Sequence, residues 1–131
     1  MFSHVMLGTN NIERSKAFYD AVLGTLGVSP GFEDKQPTKH RVFWRTKTGV
    51  FGVSIPINGE EACHANGGTV GFACATPEQV HAFHDAGVKA GGTSIEDPPG
   101  LREGPSGFYL AYLRDPDGNK ICAMHRTKAP A

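Results

Sequence analysis

The sequence predicts an α+β domain in which paired β-α-β-β-β modules form a curved sheet cup. Three observations carry this reading. Laying Ser3-His4-Val5-Met6-Leu7 over Gly68-Thr69-Val70-Gly71-Phe72, a shift of 65 residues, also brings Ala17-Phe18, Asp20-Ala21 and Gly27 onto Ala82-Phe83, Asp85-Ala86 and Gly92. Self-similarity at such a fixed shift marks a repeated supersecondary unit. The whole chain has 131 residues, the size of one core, so the copies are modules of a single domain. Each copy opens with strand-like alternation, continues into a capped helix and closes on short apolar runs divided by turns. The modules are residues 1–55 and 68–126, joined by a polar, glycine-rich linker over 56–67.

His4 to Leu7 alternates as a half-buried strand does. Asn10 with Glu13 reads as a capping box, and Ile12, Ser15, Phe18, Tyr19 and Val22 follow at helical spacing up to Gly24-Thr25-Leu26-Gly27, a helix of about 12 residues. After a weakly defined strand come Val42-Phe43-Trp44, a turn at Lys47-Thr48-Gly49 and a strand from Val50 to Ile55. In the second copy Thr76-Pro77-Glu78-Gln79 supplies an N-cap, a proline at the first helical position and a capping glutamine. Pro98 to Gly107 reads as a long surface loop bordering the cup, Phe108 to Leu113 and Lys120 to Met124 as strands, and Thr127 to Ala131 as a loose tail.

Lys+Arg and Asp+Glu both number 13, so no overall field gathers nucleic acid or anionic lipid. No phosphate-loop motif follows a strand, and no apolar run approaches the ~20 residues that cross a bilayer. Met1 leads into Phe2-Ser3-His4 without a signal-peptide pattern, so a cytoplasmic protein with reduced Cys63, Cys74 and Cys122 is expected.

With helices covering one face of the strands, the opposite face becomes a ligand cup. Parity places Val5, Leu7, Val70, Phe72, Ile121 and Ala123 under the helices, and His4, Met6, Thr69, Cys122 and Met124 toward the cup. Val53 joins them by a shift of 69 from Cys122. Arg102, in the loop, is the candidate clamp for a carboxylate or phosphate, although a solvated loop arginine is the plainer reading. Tyr109 is the candidate polar handle, since at most one of Tyr109 and Tyr112 can serve inside the cup.

Phe2-Ser3-His4-Val5, Ser15-Lys16-Ala17-Phe18-Tyr19, Leu26-Gly27 and above all Arg114-Asp115-Pro116-Asp117-Gly118-Asn119-Lys120-Ile121 resemble the glyoxalase, bleomycin resistance and extradiol dioxygenase group, the vicinal oxygen chelate superfamily. The resemblance covers nearly the whole chain and is nearest to small bacterial glyoxalase-like proteins. It implies that fold, a homodimer, and a divalent zinc, nickel, iron or manganese ion held by histidines and a glutamate. His4 matches the first-strand histidine, whereas Thr69 stands at the equivalent of the second and Cys122 at the terminal glutamate. The expectation is therefore a degraded metal site without cofactor and a small organic molecule bound in the cup. The alternative is a metal-dependent lyase, isomerase, thiol transferase or dioxygenase using His4 and Cys122.

Overall fold

Each half of the chain folds into a β-α-β-β-β unit for reasons visible in its own residues. The computed structural model describes residues 1–127. The first unit contains β1 (His4–Gly8), α1 (Ile12–Gly24), β2 (Phe32–Lys35), β3 (His40–Thr46) and β4 (Gly49–Ser54). The second contains β5 (Val70–Ala73), α2 (Pro77–Lys89), β6 (Thr93–Leu101), β7 (Phe108–Arg114) and β8 (Lys120–Arg126). The strands form two four-stranded sheets, β1-β4-β3-β2 and β5-β8-β7-β6, each with one parallel pair supplied by the crossover helix.

The helix caps differ between the two units. In α2, Thr76 accepts from the Gln79 amide, and the Gln79 side chain accepts from the Ala75 amide, a variant of the capping box in which the return bond lands one residue before the N-cap. In α1 the N-cap is Asn11, which accepts from the Arg14 amide, and not Asn10 as the sequence suggests. Asn10 is drawn away by tertiary bonds: its side chain takes the Ala62 amide at 2.7 Å and gives to the Ala62 carbonyl at 3.2 Å.

One core joins the units. Phe18, Tyr19 and Val22 of α1 and Val80 and Phe83 of α2 are fully buried with Val42, Trp44, Leu113 and Ile121 of the two sheets. The helices pack on one another. Phe51 of β4 meets Phe72 of β5 with ring centroids 5.2 Å apart. The approach is close enough to require glycine: a Cβ on Gly87 would lie 2.7 Å from Leu113 and 3.2 Å from Val22. The helix-covered faces of both sheets thus share this core, and among the described residues no strand pairing joins the two sheets.

The stretch read as a loop from Pro98 is partly strand. Residues 93–101 form β6, an edge strand on which Glu96 to Pro99 bulge between the paired positions Ile95 and Gly100. Prolines fit there because an edge strand has amides with no partner to serve. Thr127, read as tail, is tied by its amide and hydroxyl to the Gly107 carbonyl, both at 2.7 Å. The rest of that tail, 128–131, lies outside the described residues. No helix among the described residues is long and apolar enough to cross a membrane.

Candidate functional site

Where the edges of the two sheets approach, a cleft of about 620 Å³ opens, a size typical of small-molecule sites. Its walls are the start of β1, the α1–β2 connection, the β3–β4 turn and β5. Leu23, Leu26 and Val28 form one apolar side, and Trp44, Phe51 and Phe72 another. Ser3, His4, Ser29, Arg45, Thr46 and Thr48 are its polar lining residues, although the Arg45 guanidinium itself lies over Phe43, on the face of β3 opposite Trp44.

Local chemistry fixes these walls. Gly27, at φ 82°, ends α1 in the left-handed conformation and turns the chain into the cleft wall. Trp44 is held by its indole Nε1, which donates to Asp20 Oδ1 at 2.9 Å, while the Gly31 amide donates to the same oxygen at 2.8 Å. Gly31 must be glycine, because a Cβ would lie 2.6 Å from both Trp44 and Val42. Across the cleft, β5 pairs only with β8. The Cys74 amide donates to Met124, so by alternation the amides of Gly71 and Ala73 face away from β8, toward the open edge.

The candidate residues are distributed unevenly. His4 lines the cleft, exposed, with Nδ1 2.7 Å from Ser3 Oγ. Met6 lies over Gly52 on the uncovered face of its sheet, and Cys122 and Met124 lie on the uncovered face of the other. Thr69 is exposed just before β5; the first-strand position that reaches the cleft is Gly71.

Val53 is a correction. It is fully buried in the core beneath the helices. Leu7 pairs with Val53 and Phe72 with Ala123, so the last strands are related by 123 − 53 = 70 residues and Cys122 matches Gly52. The β7–β8 turn carries the extra residue.

Tyr109 is likewise on the helix side, packed on the core with its hydroxyl 2.6 Å from His81 Nε2. Tyr112 occupies the uncovered face, opposite Cys122. Arg102 stands over the Tyr112 ring, but its guanidinium donates to the carbonyls of Asp97, Pro98 and Gly100 at 3.1, 2.9 and 3.2 Å. It ties down the β6 bulge.

The most specific sequence motif has a role its residues alone did not disclose. Buried Asp115 accepts from the Tyr19 hydroxyl at 2.6 Å and from the Asp117 amide, the Asn119 amide and Asn119 Nδ2, each at 2.9 Å. Burial, and then the Asp115 charge, hold the Tyr19 phenol well above its ordinary pKa. Asp117 accepts from Thr9 Oγ1 at 2.6 Å and from the Asn10 amide and Arg14 Nη2 at 2.9 Å. Asn119 Nδ2 also reaches the Gly8 carbonyl. The turn is a latch between modules.

These positions do not fit a divalent ion. His4 offers one nitrogen, Thr69 only a neutral hydroxyl and Val53 no side-chain donor, and burial raises the Cys122 pKa, keeping it a thiol, whereas a metal takes the thiolate. Among the described residues no three His, Cys, Asp or Glu side chains gather to hold an ion.

A doubled β-α-β-β-β architecture with a cleft at the junction of its sheets defines the class. The profile of the Glyoxalase/Bleomycin resistance protein/Dioxygenase superfamily matches residues 1–123, and the chain belongs to that superfamily. Among solved structures it is similar to a glyoxalase/bleomycin resistance protein from Albidiferax ferrireducens T118, with 58% identity over 96% of this chain and 98% of that one and a TM-score of 0.87. A glyoxalase/bleomycin resistance protein/dioxygenase family enzyme from Burkholderia phytofirmans PsJN shares the fold at 22% identity, covering 95% and 97%, with a TM-score of 0.69. Lactoylglutathione lyase from Agrobacterium tumefaciens does so at 18%, covering 95% and 92%, with a TM-score of 0.64. No curated protein matches the chain.

Proposed function

We propose that this chain binds a small organic molecule in the cleft between its modules, as a cytoplasmic homodimer whose ancestral metal positions have lost their ligands. The observation that carries the reading is the convergence of the first strands of both modules, through His4 and Gly71, on an apolar cleft of about 620 Å³. That cavity has an aromatic wall and a polar rim, the combination that small-molecule sites use. Exposed Phe32 and Leu101 on edge strands, 66% and 62% accessible, support association with a second copy. Light scattering should give a dimer mass.

Trp44 is the only tryptophan in the chain and walls the cleft, so its fluorescence reports occupancy. Titration with small aromatic compounds should change that emission saturably, at one ligand per chain, and Ala73→Phe, which fills the cleft, should abolish the change. Emission and thermal stability unmoved by every compound would overturn the reading. Elemental analysis after dialysis should find well below one divalent metal per chain; a stoichiometric ion released by His4→Ala would restore the metalloenzyme alternative.

A further inference from the structure

We propose that Ser94 is a nucleophile, served by His84 and Asp85, that takes the acyl group of small uncharged activated esters and passes it to water. None of the three lines the cleft. The site is a second one, at the seam of α2 and β6, and it stands or falls apart from ligand binding in the cleft.

Helix α2 packs against β6, the last strand of its sheet, and the His84 side chain sits in that seam only 13% exposed. Its Nε2 is 2.8 Å from Ser94 Oγ and its Nδ1 is 3.1 Å from Asp85 Oδ1. A carboxylate only accepts, so Nδ1 carries the hydrogen of the neutral ring and Nε2 is left to accept from the serine hydroxyl. The two bonds together select the tautomer that a general base needs. Ser94 itself is exposed, so an ester can reach its oxygen.

The backbone adds a donor for the charge that attack creates. The Asp115 amide bonds the Asn119 carbonyl, so by alternation Leu113 faces β8, while Tyr112 and Arg114 face β6 and bond their partners Ile95 and Thr93. The Ser94 amide, between those two, points off the open edge of the sheet. An N–H of the nucleophile's own residue is a donor suited to an oxyanion. Val88, one helical turn after His84 and 45% exposed, gives apolar surface for the acyl chain. The Asp85 carboxylate, 77% exposed, repels anionic esters.

In the first step the Ser94 oxygen bonds the acyl carbon and its proton passes to His84 Nε2. The ester C–O bond breaks, and the leaving oxygen keeps the electron pair and takes that proton. Water then attacks the acyl carbon, gives a proton to Nε2, and Ser94 leaves and recovers it.

The test treats the full-length protein with 4-nitrophenyl acetate, follows release of 4-nitrophenolate and locates acetyl groups by peptide mass spectrometry. Ser3 is the internal control: its Oγ lies 2.7 Å from His4 Nδ1, but among the described residues no carboxylate bonds that ring. Ser94 should acetylate at least about tenfold faster than Ser3, and release should continue past one equivalent per chain. Ser94→Ala should abolish turnover above the buffer rate, and His84→Gln should slow it about a hundredfold. Asp85→Asn should lower kcat about tenfold with KM unmoved, the split expected of a positioning residue that does not touch the ester. Thermal unfolding checks that each variant folds. A fluorophosphonate, which loses fluoride with its electron pair as the Ser94 O–P bond forms, should label Ser94 alone. Equal acetylation of Ser3 and Ser94, acetyl groups confined to lysine and histidine, or turnover surviving in Ser94→Ala would overturn the proposal. Release that stops at one equivalent would overturn the transfer to water.

Discussion

The β3–β4 turn and the β7–β8 turn stand at the same place in the two modules and do different work. In the second module, Asp115, Asp117 and Asn119 take bonds from Tyr19, Thr9, Asn10 and Arg14 and give one to Gly8. In the first, Thr46 and Thr48 bond only within their own turn, to one another and to Gly49. One turn is committed to holding the modules together, which leaves the other free to border the cleft with Arg45 beside it. Duplication supplies two equivalent corners, and five residues in place of four are enough to separate their uses.

If the latch is what separates them, Asp115→Ala should have the largest effect. It strands the buried Tyr19 hydroxyl and the Asn119 amide, at a cost of about 3 kcal/mol or more. Denaturant unfolding measures this; a loss below about 1 kcal/mol would equate the two turns after all. Gly87→Ala pushes a methyl group against Leu113 of its own module and Val22 of the other, and overpacking of about 1–3 kcal/mol should exceed the helix-propensity gain of roughly 1 kcal/mol. The same unfolding assay should show a net loss.

Arg14→Ala should cost less than about 1 kcal/mol, because the Arg14 side chain is 46% exposed and Asp117 keeps its bonds from Thr9 and Asn10. The thiols give the smallest change below pH 9. Burial pushes Cys74 from its ordinary 9.0 up to about 11 and raises Cys122 in the same direction. Thiols with a raised folded pKa contribute their stability fully below the unfolded value and lose it as pH rises through the folded one, so stability should decline between pH 9 and 11. At pH 8 a disulfide reagent should label exposed Cys63 alone in the folded protein and all three cysteines once it is unfolded.

Much of the architecture was legible because it is local and periodic. Period-2 alternation put Val5, Leu7, Val70, Phe72, Ile121 and Ala123 under the helices, and Thr76-Pro77 marked the start of α2. Legibility failed where long-range bonds outbid local ones: Asn10 left the cap of α1 for Ala62 and Asp117, and Pro98 stayed in strand because that strand is an edge. The misplacement of Val53 had a simpler source, the extra turn residue, since one residue of slip moves a side chain to the opposite face.

By itself, then, the sequence determined the duplicated fold and the family, because each depends on residue identity or on spacing within a few turns of chain. Only the tertiary structure decided that Arg102 is spent on the β6 bulge, that Tyr109 faces α2, and that the Asp115 turn is a latch. The latch and the Tyr109–His81 contact are pairings between residues far apart in the chain, and no periodicity encodes which partner satisfies a polar group.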